Sequence, residues 1–408
     1  MSDFFQNGVI TTLHQLGQRP VADIESELQN FSETRPLSLV LPCLIDELSG
    51  PALEHIVTEL ADVPYLSQIV IGLDGANESQ YRDARQFFAR LPQSTRVIWN
   101  DGPRLRALDQ QLRAELLAPE TRGKGCNVWY SLGYILTNGE TYTGAVALHD
   151  CDILGYNRNM LARLLYPVAN NNFSYEFCKG YYARVGQERL NGRVCRLLLT
   201  PLIRTLRKIF GPLEYLDYLD SFRYALAGEF SLRTGVLTDL RIPTDWGLEI
   251  GVLSEMYRNY STNRLCQIDI AEQYDHKHKA LSAHDDSGGL AKMSIDIIKA
   301  IYRKLATNGV VFTTESFRSI KATYYRVALD FVSTYAADAR VNGLQFDNHR
   351  EEQAVELFAK NIVKAGEIFL KNPMETPFIP SWSRVRSAMP DVLEQLYDAV
   401  EADHDDYR

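Results

Sequence analysis

The chain has 408 residues, 45% of them hydrophobic and 23% charged, with a formal net charge of −9. Such values belong to a folded globular protein with ample core material; they exclude a largely disordered chain and disfavour a broad nucleic-acid surface, which a net negative charge repels. Six cysteines without a Cys-x-x-Cys pair exclude a zinc ribbon and a dense disulfide framework, and no apolar run approaches the ~20 residues that span a bilayer.

The first residues, Met1 to Asn7, show no basic segment leading into a sustained apolar one, so no secretory signal is expected and a cytoplasmic location is inferred. Residues 1–36 are read as an N-terminal helical segment. The apolar run Leu37 to Ile45 stops at Asp46-Glu47, and residues 51–62 carry helical spacing, which predicts strand, loop, helix. Gln68 to Gly75 is a second run, ending in the turn Asp74-Gly75 and followed by a polar helix to about Leu91; Thr95 to Asn100 is a third, ending in Asp101-Gly102-Pro103. Gly123-Lys124-Gly125 precedes a helix over Val128 to Leu136, and a fourth strand, Gly144 to Leu148, ends in His149-Asp150-Cys151-Asp152. Strands separated by helices predict an α/β domain with a mainly parallel sheet, whose ligands bind beyond the carboxyl ends of the strands. Asp46, Asp74, Asp150 and Asp152 all fall at such ends.

Residues 155–225 are mixed, with an added strand near Phe173 to Phe177 and a basic-faced helix from Arg193 to Ile209. Trp246 to Gly251 opens another helical stretch. Beyond about residue 290 the pattern is helical: Ala291 to Leu305, Thr314 to Ala337, Arg350 to Leu370, a proline-rich break at Pro373 to Pro380, and a last helix from Val385 to Glu401. The division that follows is 37–285 for the α/β domain, in two halves at about 37–153 and 154–285, and 286–408 for a helical C-terminal region that either offers a homodimer interface or, as readily, packs back on that domain.

Two carboxylates one residue apart at a strand end suit a hard cation such as Mg²⁺ or Mn²⁺, which neutralises charge on a departing phosphate; the same pattern also occurs as a solvated turn. Gly123-Lys124-Gly125 lacks the upstream glycine and the hydroxyl residue of a P-loop, yet a glycine-flanked lysine reaches a diphosphate as readily as it forms a surface turn. In Asp275-His276-Lys277-His278 the two imidazoles point to opposite faces of an extended segment, so one of them, His276 with His278 in reserve, is the candidate to join the Asp-x-Asp pair. Glu249 is either a helix-dipole carboxylate or an active-site acid, and Arg193 with Arg196 offers a guanidinium for an anionic group.

Taken in order, the motifs resemble those of the GT-A glycosyltransferases, and within them the glucosyl-3-phosphoglycerate synthases. Leu41-Pro42-Cys43-Leu44-Ile45-Asp46-Glu47 is similar to the family's LPAxNEE, Asp74-Gly75 to its DS turn, Gly123-Lys124-Gly125 to GKG, and Asp150-Cys151-Asp152 to DSD. Gly192-Arg193-Val194 is similar to GRV(T), Leu226-Ala227-Gly228-Glu229-Phe230 to LAGEY, Gly247-Leu248-Glu249-Ile250-Gly251 to GxEIG, and His276 to a late metal histidine. The resemblance implies a GT-A fold with a helical C-terminal extension and a metal-dependent, retaining transfer of glucose from UDP-glucose to 3-phosphoglycerate, a step toward a compatible solute or a polysaccharide precursor.

It further implies that Pro42, Leu44, Asp46, Asp74 and Gly75 hold the uridine part, that Lys124 reaches the nucleotide, and that Asp150 lies near the sugar or ribose. Asp152 and His276 would bind the metal, Mg²⁺ or Mn²⁺; Gly192, Arg193 and Cys195 would meet the acceptor; Glu249 would orient sugar or acceptor. Asp150, Glu249 and Lys124 are thus the catalytic candidates. Cys195 stands where the family has a phosphate-binding threonine, and the segment before His276 lacks the family's arginine and is one residue longer. GDP-mannose or another donor, glycerate or another small acceptor, and a degenerate nucleotide-binding module are the alternatives. A nucleotide sugar and a small phosphorylated acceptor are the expected partners, with neither nucleic acid nor membrane.

Overall fold

A computed structural model describes residues 6, 8–118, 122–139, 144–275, 289–373 and 378–407. Its centre is an eight-stranded sheet in the order β1-β10-β6-β9-β5-β2-β3-β4. The strands are β1 (Thr11–Leu13), β2 (Leu37–Leu44), β3 (Leu66–Asp74), β4 (Ser94–Trp99), β5 (Ala145–Leu148), β6 (Phe177–Tyr182), β9 (Phe230–Arg233) and β10 (Leu265–Ala271), and β7 (Val185–Gly186) and β8 (Arg189–Leu190) form a separate small hairpin. Every pairing in the large sheet is parallel except those of β9, which runs antiparallel to both β5 and β6. The runs Leu39-Val40-Leu41 and Ile69-Val70-Ile71 are fully buried, as a sheet covered on both faces requires.

Helices join these strands: α1 (Val21–Ser32), α2 (Pro51–Ala61), α3 (Glu78–Phe88), α4 (Pro103–Ala114), α5 (Lys124–Leu136), α6 (Arg158–Ala169), α7 (Thr200–Phe210), α8 (Glu214–Asp220) and α9 (Leu248–Asn259). The segment expected to be an N-terminal helix thus holds both α1 and the edge strand β1. α4 was not anticipated, although Leu105, Leu108 and Leu112 form its buried stripe at helical spacing and Pro103 starts it where a missing N–H costs nothing.

The expected helix from Arg193 to Ile209 begins as a π-helical turn, Val194–Leu199, before becoming α7. Pro201 explains the irregularity. It has no N–H for the carbonyl of Leu197, and the hydroxyl of Tyr324 donates to that carbonyl instead.

Beyond lie α10 (Gly289–Thr307), α11 (Thr314–Val341) and α12 (Asn348–Lys371), which pack on one another and against α7 and the π-turn. The expected last helix is two: α13 (Trp382–Ala388) and α14 (Val392–Asp406). Pro390 separates them, holding Met389 out of the helical region at φ −131° and ψ 87°. α14 returns across α4, β4 and α5. Among the described residues no helix is long and apolar enough to cross a membrane.

Candidate active site

β2 and β5 are neighbours, registered from Leu37↔Ala145 to Val40↔Leu148, and from β2 the chain proceeds to β3 on the opposite side. The strand order therefore reverses between β2 and β5, and their carboxyl ends open a crevice. Into it run the Ile45–Ser49 turn with Asp46 and the residues after β5, Asp150 and Asp152.

Lys124, the first residue of α5, places Nζ 2.6 Å from Asp150 Oδ1 and 3.5 Å from Glu249 Oε1. Its two flanking glycines make this possible. A side chain at Gly123 would put Cβ 2.6 Å from the carbonyl oxygen of Thr244, and one at Gly125 would put Cβ 1.8 Å from that of Pro243. Backbone thus lies on backbone, and α5 and the chain leading to α9 close around the lysine. Burial opposes the ammonium, but Asp150 and Glu249 outweigh it and hold the Lys124 pKa above the ordinary lysine value. Asp150 in turn rests on Gly228, where a Cβ would meet its Oδ2 at 2.4 Å.

Burial, then the Asp150 charge, pushes the Asp152 carboxyl up to about 7, with Glu47 and Glu229 adding to it and Lys124 opposing. An acid so crowded by like charge is relieved by a cation, and carboxylate oxygen is the donor that Mg²⁺ and Mn²⁺ prefer, so Asp152 fits such an ion. Among the described residues no group of three or more His, Cys, Asp or Glu side chains completes a metal site. His276 and its reserve His278 lie outside the described residues. The chain leading to them is well fixed: the Tyr274 amide donates to Ala183 O at 3.0 Å, and Asp275 O accepts from the Leu154 amide at 2.9 Å, two residues beyond Asp152.

Of the residues expected to hold the uridine part, Leu44 is exposed, Pro42 half-buried and Asp46 exposed on its turn. Asp74 is held by two amides that the sequence reading missed. Asn100 Nδ2 donates to its Oδ1 and Asn127 Nδ2 to its Oδ2, each at 2.9 Å. Burial raises the Asp74 pKa, and the two amides work against that rise. Gly75 adopts φ +78°, and its amide donates to Asp101 Oδ2 at 2.6 Å.

Of the residues expected to meet the acceptor, Gly192 has φ +76° and lies against Tyr224 and Arg184. Arg193 is committed to an ion pair: its Nε sits 2.5 Å from Glu351 Oε1 of α12, and Arg196 Nη2 takes Oε2 of the same carboxylate at 2.9 Å. Cys195 is buried, which raises its thiol to about 11 against hydrogen bonds from the Leu226 and Ala225 backbone. Of the acceptor candidates, Cys195 therefore touches the Ala225-Leu226 backbone of the loop that leads to Gly228, on which Asp150 rests. Behind that loop Glu229, fully buried, accepts from Tyr182 at 2.6 Å and Tyr274 at 2.7 Å. No spacing rule marks these tyrosines or Glu351; only the fold gathers them.

No family model matches the chain. The glucosyl-3-phosphoglycerate synthase of Persephonella marina is 44% identical over 406 residues, covering all of both chains, and that of Methanococcoides burtonii is 37% identical over 409 residues, covering 99% of each. The chain belongs to the glucosyl-3-phosphoglycerate synthases. It is therefore a glycosyltransferase, as its motifs lead one to expect. The crystal structure of glucosyl-3-phosphoglycerate synthase from Mycobacterium tuberculosis with Mn²⁺, UDP-glucose and phosphoglyceric acid superposes with a TM-score of 0.53 and 20% identity, over 74% of this chain and 89% of that one. At that identity the likeness concerns the fold, which is GT-A-like, and here it carries the helical C-terminal region α10–α14.

Proposed function

We propose that this synthase transfers glucose from UDP-glucose to the free hydroxyl of 3-phosphoglycerate with retention of anomeric configuration, aided by Mn²⁺ or Mg²⁺. The observation that carries the reading is the Lys124 ammonium bound by Asp150 and Glu249 at the crevice where β2 and β5 diverge. In the M. tuberculosis relative the corresponding fold binds Mn²⁺, UDP-glucose and phosphoglyceric acid together.

Pro42, Leu44, Asp46, Asp74 and Gly75 hold the uridine part in this reading, and Asp150 orients the ribose or sugar. Asp152 and His276 would hold the divalent ion, which would supply positive charge to the diphosphate. Lys124 adds a second, fixed cation for the charge that develops as the bond from the anomeric carbon to the diphosphate oxygen breaks. Gly192 offers its backbone, and Arg193 a guanidinium edge not used by Glu351, to the acceptor phosphate. Glu249 steadies Lys124 and orients the sugar or acceptor.

The acceptor hydroxyl attacks from the face that the diphosphate leaves, and its proton passes to the departing diphosphate oxygen. Alignment of the two substrates then carries much of the rate.

A screen of UDP-glucose and GDP-mannose against 3-phosphoglycerate and glycerate with Mn²⁺ or Mg²⁺ tests this, reading nucleotide release, product mass and anomeric configuration. UDP release that requires 3-phosphoglycerate and yields an α-linked product is expected. Turnover with GDP-mannose alone, with glycerate alone, or with inversion would refute the corresponding part.

A further inference from the structure

Lys179 stands in the middle of β6, fully buried, in a strand whose six residues are all buried. An ammonium in such a place carries a large desolvation penalty, and a methionine would fill the same space without it. Its surroundings show what the charge does. Nζ donates to the carbonyl oxygen of Ala227 at 2.5 Å and lies 5.3 Å from the centroid of Phe230, its register partner on β9. The Ala227 carbonyl belongs to the peptide that leads into Gly228, and it is on Gly228 that the Asp150 carboxylate rests.

We infer that Lys179 is a positioning residue for the transfer reaction, its ammonium fixing the Ala227–Gly228 peptide and so the carboxylate of Asp150. This rests on the proposed role of Asp150 in donor binding. The charged groups that face Lys179 are Glu249 of α9, Glu229 just before β9, Asp150 beyond β5 and Lys124 of α5, while its neighbour on β10 is the uncharged Gln267. Two ammonium groups thus share three carboxylates, and loss of either leaves Asp150 in a more negative setting. Burial brings the Lys179 pKa down to about 8, with the carboxylates opposing the fall. The ammonium therefore discharges as pH rises through about 8, and the grip on Ala227 weakens with it.

The test uses full-length K179M and K179Q beside the wild type, measuring kcat and KM for UDP-glucose and 3-phosphoglycerate from pH 6.5 to 9.5, with thermal unfolding in parallel. K179M removes charge and donor at nearly constant volume; kcat is expected to fall by about 100-fold, the scale of a misplaced reacting group, in an enzyme that still unfolds cooperatively. Wild-type kcat is expected to decline above about pH 8, and the variants to lack that limb. Should K179M not fold, K179Q, which keeps an N–H donor, serves for the pH comparison. A folded K179M with kcat within twofold of wild type, or a K179Q profile with the wild-type alkaline limb, overturns the inference. Absence of transfer by the wild-type enzyme would instead refute the donor–acceptor reading and this inference together, an outcome distinct from wild-type turnover that K179M matches.

Discussion

Asp74 and Asp152 are both strand-end carboxylates, but their surroundings give them different tasks. Asp74 has an amide on each oxygen, from Asn100 and Asn127, which sets it as a fixed acceptor. Burial raises its pKa, so an acceptor role weakens as pH falls toward that raised value. Removing one amide raises the pKa further. Asn127→Ala is therefore expected to raise KM for the UDP-sugar about tenfold, the worth of one hydrogen bond to a charged group, and to move the acid rise of that KM to higher pH. Coincident pH profiles for wild type and variant would exclude Asp74 as a uridine contact. Asp152 has no such amide partners among the described residues and is pushed up by burial and by Asp150. Asp152→Ala is expected to lower metal-dependent transfer by about 10³-fold with folding intact, because a Lewis-acidic ligand site is worth several kcal/mol. Calorimetric titration with Mn²⁺ and UDP checks the cause, since near-wild-type affinity would remove Asp152 from the ligand set.

At the level of elements, the legible parts were those whose burial is two-sided and local. β2, β3, β4 and β5 announce themselves as short apolar runs ending in acidic turns, and α5 follows its glycine-lysine-glycine start. β9 could not be read in the same way. Its four residues are placed between β5 and β6 by antiparallel pairing on both sides, a long-range fact that no local period encodes. The π-turn at Val194–Leu199 depends likewise on Tyr324 from α11, more than a hundred residues away. The meaning of Gly125 also emerged only in three dimensions: the sequence allowed a flexible turn, but the glycine is a contact surface for Pro243 O. Gly125→Ala would force α5 and the 243–244 backbone apart. An overpacking cost of about 1–3 kcal/mol is expected, with a larger rise in donor KM than in acceptor KM because Lys124 is displaced from Asp150. Unchanged thermal stability and unchanged donor KM would show that the loop yields without moving the lysine.

The whole molecule is closed by its last thirty or so residues, for which the sequence left a dimer interface and packing back on the α/β domain equally open. A proline-rich break followed by helix does not choose between them, and in the structure the chain crosses back to α4, β4 and α5. The Ile379 amide donates to Ile242 O at 2.9 Å, and Phe378 bridges to Pro243, the same stretch whose carbonyls abut Gly123 and Gly125. Trp382 then stacks on Trp129 of α5 with centroids 4.0 Å apart, donates from Nε1 to Trp129 O at 3.2 Å, and fills the space left by Gly133. Trp129 returns a hydrogen bond to Pro380 O at 3.1 Å. Two indoles and a pair of backbone contacts thus hold α5 against the 242–244 segment, the two pieces that meet at Lys124. Trp382→Ala deletes the centre of that clamp. It should cost about 3–5 kcal/mol of stability, as loss of a fully buried tryptophan does, and lower the thermal midpoint accordingly. Because the clamp bears on α5 and not on the π-turn beside Gly192, KM for the UDP-sugar is expected to rise while KM for 3-phosphoglycerate stays near its wild-type value. Equal changes in both constants would mean that the C-terminal return supports the molecule generally and does not set the position of Lys124.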